Sequence, residues 1–332
     1  MATTFRHLAK VHSVVFKEHN VNGFQLICLF VLALTGCGEL QLGKLTGNAG
    51  TTKTFHQKVG WEAEKFFDDP DVIQLCNAIE ENDLDRIDVL VAKGSDVNAV
   101  GRDNMTPLLW AFPDNKLERF TKLLEAGADP NVLIKSDLGV SHAFRAGSSV
   151  LHMSADTHFE GYFQAVMEHG GDPSLRDADE NQVIHLIIRY GSPNPLGKIK
   201  LAIEHGANIE APDALGGTPA MMAVGSFQQY DLALDLLKLG ADPAALRDNS
   251  PDTLIHIMAG RRNDVKYASP VNQAAYHRLL DYLIEQGEDF EKACEDQERW
   301  HMWGATRRAE SNALMAAEAA KVRRERAEGK SK

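Results

Sequence analysis

Thirteen histidines, four cysteines and forty-seven carboxylates give this chain ample material for a metal site, an acid–base pair or an activated nucleophile. Spacing decides whether any of these is built. Asp177-Ala178-Asp179-Glu180-Asn181 begins like a calcium loop, with oxygen ligands at alternate positions. Such a loop needs a glycine at its sixth position and a bidentate glutamate at its twelfth. Gln182 and Ile188 stand there instead, so no calcium site is expected. Gly147-Ser148-Ser149-Val150-Leu151 offers a serine after a glycine. A nucleophile elbow also needs a second glycine two residues beyond the serine and a preceding strand. There is no H-E-x-x-H pair, phosphate-cradling glycine loop or dinucleotide fingerprint. Cys76 and Cys294 lie far apart and outside any C-x-x-C pair, and Cys76 falls in a helical apolar pattern as a small buried residue would. The residues therefore predict no catalytic set, no metal ion and no cofactor.

The elements that would position these side chains repeat along the chain. Gly94-Ser95-Asp96-Val97-Asn98, Gly127-Ala128-Asp129-Pro130-Asn131, Gly170-Gly171-Asp172-Pro173-Ser174, Gly206-Ala207-Asn208-Ile209-Glu210 and Gly240-Ala241-Asp242-Pro243 are versions of one phrase, with a weaker copy at Gly287-Glu288-Asp289-Phe290. Each follows an apolar stretch of helical period, such as Phe120-Thr121-Lys122-Leu123-Leu124-Glu125. The glycines step by 33, 43, 36, 34 and 47 residues, so a base period near 33 carries insertions. Thr106-Pro107-Leu108 and Thr218-Pro219-Ala220 recur at a fixed place in the repeat. Val150-Leu151-His152, Val183-Ile184-His185 and Leu254-Ile255-His256 are degenerate forms that keep a histidine. A threonine there can cap a helix, the proline suits the first helical position, and the glycine ends the second helix in a left-handed conformation.

Together these motifs resemble the ankyrin repeat over about residues 71–290. The resemblance implies an all-α solenoid of about six helix-turn-helix units with connecting loops, capped at both ends. It also implies that His152, His185 and His256 bridge neighbouring backbones by hydrogen bonds. One unit cannot bury its own apolar face, so stacking must supply the core. Residues 61–290 are assigned to this domain, with Trp61–Phe67 as an N-terminal capping helix. Residues 291–332 are expected as a C-terminal cap carrying Trp300 and Trp303, followed by a basic helical or frayed tail.

By the same resemblance the chain is a protein-binding scaffold, and its contact surface is carried over by position. The loop tips are then Arg102, Asp103 and Met105; Arg145 and Ser148; Asp179 and Asn181; Leu215; and Asn249 and Asp252. The inner-helix ends are Asp114, Asp156, Arg189, Tyr190 and Arg261. Two insertions individualise the stack. Residues 132–147 hold Leu138, Val140, His142, Phe144 and Arg145 as side chains expected to face solvent, and 261–270 hold Arg261, Arg262, Lys266 and Tyr267. Long loops in compact repeats are often functional.

Charge narrows the partner. The formal net charge is −12, but residues 1–36 sum to +2 and those from Arg307 onward to +4, leaving −18 in between. An acidic body repels phosphate backbones, so nucleic acid is not an expected partner. An unidentified protein partner and a monomeric chain are expected. Near the N-terminus, the apolar run Phe24–Leu34 leads into Leu34-Thr35-Gly36-Cys37. The run is too short to cross a bilayer as a helix. Its layout is that of a secretory signal, and the four-residue string resembles the lipobox of bacterial lipoproteins. That resemblance implies removal of residues 1–36, a lipid on Cys37 and a place in the cell envelope, while the Gly-, Thr-, Lys- and Asn-rich composition that follows reads as a flexible tether over 37–60. Gly38 after the cysteine favours the periplasmic face of the outer membrane. An immunity protein against a secreted toxin is a narrower form of this reading. Two other readings use the same residues: a cytosolic adaptor without lipid, and a hydrolase with a scattered site in the inserted loops.

Overall fold

The computed structural model describes residues 53–248, 250–306 and 308–329. The apolar run, the Leu34–Cys37 string and Asn249 lie outside the described residues. Two short helices, α1 (Phe55–Val59) and α2 (Ala63–Phe66), precede six helix pairs. The pairs are α3 (Pro70–Glu81) with α4 (Leu84–Ala92), α5 (Pro107–Ala111) with α6 (Leu117–Glu125), and α7 (Val150–Asp156) with α8 (Tyr162–Glu168). They continue with α9 (Val183–Tyr190) and α10 (Pro195–Glu204), α11 (Pro219–Gly225) and α12 (Tyr230–Lys238), and α13 (Leu254–Arg261) and α14 (Pro270–Glu285). Two longer helices follow, α15 (Phe290–Thr306) and α16 (Arg308–Gly329).

Local chemistry sets these boundaries. Thr106 and Thr218 cap α5 and α11, their hydroxyls accepting from the backbone N–H of Leu109 at 3.1 Å and of Met221 at 3.4 Å. Pro107 and Pro219 follow at the first helical position, where no donor is needed. Asp69 caps α3, and Pro70 is its first residue. After each second helix the phrase glycine is left-handed, with φ between 89° and 106° at Gly94, Gly127, Gly170, Gly206, Gly240 and Gly287.

First helices pack on first helices, α3 on α5, α7 on α9, α9 on α11 and α11 on α13. Second helices pack likewise, α4 on α6, α6 on α8, α8 on α10 and α12 on α14. One apolar core runs the length of the stack, through Leu75, Ile79, Leu108, Phe120, Leu151, Ile187, Met221, Leu236, Met258 and Leu279. This is the expected solenoid of helix-turn-helix units.

Two expectations change. Residues 53–60, assigned to a flexible tether, contain α1, closed by a reciprocal Thr54–Gln57 capping box, with His56 fully buried. The insert 132–147 is folded onto the core. Ile134 and Phe144 are buried, and backbone bonds of 2.8 Å run from Ile134 N–H to Ser148 and from Gly147 N–H to Ile134. The basic tail forms α16, packed on α15, though most of its described side chains between 313 and 325 face solvent.

Candidate functional site

The histidines of the repeat phrase hold successive loops in register. The Nδ1 of His152 accepts from Ser149 N–H at 3.2 Å, and its Nε2 lies 3.2 Å from the carbonyl of Leu175 in the next unit. His185 repeats this with Gln182 N–H at 3.0 Å and Ala211 O at 2.9 Å. Both rings must therefore carry their proton on Nε2. Burial lowers both pKa values, against the raising effect of those carbonyls, so the rings stay neutral. His256 keeps the first contact, with Thr253 N–H at 3.2 Å, but its Nε2 faces Asp296 Oδ2 at 3.6 Å. The bridge to a neighbouring backbone expected there is absent because α15, and not another repeat loop, lies next to it.

A second set of donors closes the carbonyl ends of the first helices. Arg119, fully buried, donates to Ile79 O and Pro113 O at 2.8 Å each. Lys198 Nζ donates to Ala155 O and Thr157 O at 3.1 Å and to Ser154 O at 3.3 Å. Gln229 donates to Ile188 O at 2.9 Å, Arg261 to Gly225 O, and the Tyr276 hydroxyl to Met258 O at 3.0 Å. Helix C-terminal carbonyls are unpaired and carry partial negative charge, which explains why cations recur there. Burial lowers the Lys198 pKa to about 8, against the pull of Asp156, and raises that of Asp156 to about 6 despite Lys198 and Arg145.

These helix ends present a row of loop tips that are tied to one another. Lys135 N–H donates to Asp103 O at 2.9 Å, and Ser136 bonds the Asp103 carboxylate. Arg145 spans Asp177 at 2.8 Å and Asp179 at 2.7 Å, while Arg189 lies 3.8 Å from Asp179 and donates to Asn181 at 3.2 Å. Arg176 donates to Pro212 O at 3.1 Å, and Asp248 N–H to Gly216 O at 2.8 Å. The calcium-like sequence Asp177–Asn181 is a turn in which Asp177 accepts from the N–H groups of Asp179 and Asn181, both at 2.9 Å. Asp213 builds the matching turn below exposed Leu215. Among the described residues, no three His, Cys, Asp or Glu side chains converge as a metal site.

The structure sorts the contact residues expected from the sequence. Arg102, Asp103, Asp114, Asp179 and Leu215 are exposed, and Arg145, Asp156, Arg189, Tyr190, Asp252 and Arg261 are half-buried. Arg145, Asp156 and Tyr190 line one shallow recess with His152 and Asp177. Four residues are corrected. Met105 and Asn181 are fully buried, because the chain turns inward at the tip to enter the next helix. Phe144 is buried as well, meeting Trp61 and Phe112 with ring centroids 5.5 and 6.4 Å apart. Ser148 is also buried. Asp252 accepts from Gln297 of α15 at 3.2 Å and so faces the C-terminal cap.

Sequence reasoning expected a capping helix over Trp61–Phe67 but missed α1 and the place of His56 in the N-terminal cover. The His56 ring stacks on Trp110 at 4.3 Å, and its Nε2 donates to Trp110 O at 2.9 Å. Trp61 and Phe66 lie 5.8 and 5.9 Å from the same indole. The Thr54-x-x-Gln57 box was the available signal. Arg119 and Lys198 had no local signal, since each acts across units.

No protein-family model matches the sequence. The chain is similar over 193 residues, 58% of its length, to ZDHHC13 of Danio rerio, a protein named as a palmitoyltransferase, at 25% identity. It is 28% identical over 156 residues to the p105 subunit of nuclear factor NF-kappa-B of Gallus gallus, and 29% identical over 166 residues to the ankyrin repeat protein nuc-2 of Neurospora crassa. It spans only 28%, 15% and 14% of the lengths of these relatives. Among solved structures it is similar to the ankyrin repeat domain of Bcl-3, with a TM-score of 0.50 and 21% identity, over 65% of this chain and 86% of that one. That likeness concerns the fold.

Proposed function

We infer that this chain, an ankyrin-repeat protein in fold and in sequence likeness, acts as a protein-binding scaffold without catalysis of its own. The observation that carries this reading is the loop-tip row. Arg145 grips Asp177 and Asp179 of the next unit, and backbone bonds tie Asp103 to Lys135 and Gly216 to Asp248. Tips fixed to one another lose little conformational freedom when a partner docks, so more of the contact energy appears as affinity. The row offers large side chains suited to anchoring a partner, Arg102, Arg189 and Tyr190, and Leu215 is 72% exposed.

A photo-crosslinking residue at Leu215 or Tyr190 tests this, with one at Asp235 on the second helix α12 as control. Crosslinks to a common partner from the tip positions, and none from Asp235, are expected. Equal labelling from all three positions would reject the loop-tip row as the binding surface.

The membrane-tethered form of this proposal places the scaffold in the cell envelope through a lipid on Cys37, on the periplasmic face of the outer membrane. A toxin-neutralising role is its narrowest version. Support comes from the Leu34-Thr35-Gly36-Cys37 string behind an apolar run and from the acidic body, which suits a basic partner. Metabolic labelling with a fatty acid separates this from a cytosolic adaptor. Label on the wild type and none on Cys37→Ala is expected, and an unlabelled wild type would favour the cytosolic reading.

A further inference from the structure

The connection between α13 and α14 leaves apolar side chains in solvent where a short turn would have sufficed. Residues 264–267 form a 3-10 turn, pinned to the core by Val265 and followed by extended Ala268 and Ser269. Tyr267, at the end of this turn, is 92% exposed, and Val271 in the first turn of α14 is 72% exposed. Ala274, one helical turn further, continues the exposed strip. Isolated exposed apolar residues are ordinary, but a free aromatic ring beside a β-branched residue on one edge marks a contact surface.

Its electrostatics contrast with the rest of the body. Residues 261–267 contain Arg261, Arg262 and Lys266 against the single acid Asp264, within a central region of net charge −18. Arg261 is paired with Asp264 and Arg262 with Glu298, whereas the Lys266 ammonium donates to the neutral amide of Asn263 at 3.0 Å. The first turn of the sixteen-residue α14 holds no acidic side chain, so its positive end adds to that of Lys266.

We propose that the Lys266–Ala274 edge is a second docking surface, one that takes a short acidic peptide bearing an aromatic or branched apolar side chain. The apolar side chain packs on Tyr267 and Val271, and a carboxylate meets Lys266 and the start of α14. A flat anionic surface is a poorer match. It would also meet the exposed carboxylates of Asp281 and Glu285 further along α14, which a short peptide avoids. This edge lies on the connection between first and second helices, apart from the loop tips, and the proposal does not depend on that row.

The test uses the full chain and three fluorescein-labelled peptides: Glu alternating with Leu and Phe, its Lys counterpart, and Glu alternating with Ser. Anisotropy titrations should show binding of the Glu/Leu/Phe peptide alone, weakening as salt is raised. Tyr267→Ala and Lys266→Glu should each weaken it about ten-fold, on the scale of a small hot spot. Leu215→Ala should bind as the wild type does. All three positions are exposed, and unchanged thermal midpoints would confirm that folding is intact. Equal affinity in the Tyr267 and Lys266 variants overturns the proposal, as does equal binding of the Lys peptide. Loss of binding in Leu215→Ala would place the peptide on the loop tips. Phosphatidylglycerol vesicles bound by the wild type and released by the same two variants would make the ligand a lipid surface. Either result also overturns it.

Discussion

The two ends of the stack are covered with different balances of apolar and charged contact. At the N-terminal end, His56, Trp61 and Phe66 close around Trp110, and Phe144 reaches over from the insert to meet Trp61. Trp61, Phe67 and Trp110 are all buried. At the C-terminal end, α15 buries Ala293 and Trp300 against the last unit, with the indole 4.9 Å from the His256 ring, and charged groups surround this contact and hold α16. Asp296 faces His256 at 3.6 Å and Arg299 at 2.9 Å, Arg262 pairs with Glu298 at 2.8 Å, and Arg323 lies 3.8 Å from Asp248. A cavity of about 380 Å³ remains among His256, Lys292, Asp296, Trp300 and Glu318. A solenoid must cover both terminal faces. Apolar packing gives a firm cover, while exposed ion pairs gain little over hydration and are weakened by salt. The first end should therefore belong to the cooperative core, and α16 at the second should open locally.

Trp110→Ala should break the firm end most severely. It removes the ring on which three aromatic side chains converge and strips the Cys76 carbonyl of its 3.0 Å bond from the indole N–H. A loss of about 3–5 kcal/mol is expected in urea unfolding. A loss near zero would mean that the cover is not part of the core.

Arg119→Met comes next. Its methylene stem keeps most of the packing, but the carbonyls of Ile79 and Pro113 lose their partner inside the core. About 2–3 kcal/mol should disappear, measured in the same way.

A smaller effect belongs to Asp156, between the two ends. Burial raises its folded pKa to about 6, above the ordinary carboxylate value, so the folded state binds the proton more tightly than the unfolded chain does. The stability this brings is complete below about pH 4 and is lost as the pH rises through 6. Asp156→Asn should therefore be more stable than the wild type at pH 7, with a midpoint roughly 2–4 °C higher. The gap should close near pH 4. A constant difference across that range would refute the assignment.

Arg323→Glu should have the smallest effect on global stability, under about 0.5 kcal/mol, because its pairing with Asp248 is exposed. Hydrogen exchange sharpens the contrast between the ends. Amides of residues 308–329 should exchange much faster than those of 70–81, and faster still in Arg323→Glu. Equal protection at both ends would remove the distinction.

Much of the architecture was legible because its signals are local. A glycine that must be left-handed, a threonine that caps, a proline at the first helical position and a histidine that returns to its own cap act within a few residues. Thr218-Pro219 accordingly marked the start of α11, and Gly206-Ala207-Asn208 the end of α10. The candidate surface was less legible. Counting from the repeat phrase put Met105, Ser148 and Asn181 at the tips, and the insert was expected to expose Phe144, but the register of a turn does not say which side chain points inward. Phe144 is drawn into the core by Trp61 and Phe112, and their distance along the chain hides that contact from any local reading. Lys198 and Arg119 look like surface cations in sequence, and only the carbonyl ends they face explain their burial.

By itself the sequence determined the repeat, its period and its helix boundaries, since these follow from backbone conformations that individual residue types impose. It also supplied Leu34-Thr35-Gly36-Cys37, a string whose proposed lipidation depends on no fold. The tertiary structure decided how each end is covered, which loop tips remain free, and where the insertions go. Those outcomes follow from apolar surfaces and unpaired carbonyls that different units present to one another, and such surfaces exist only once the units are stacked.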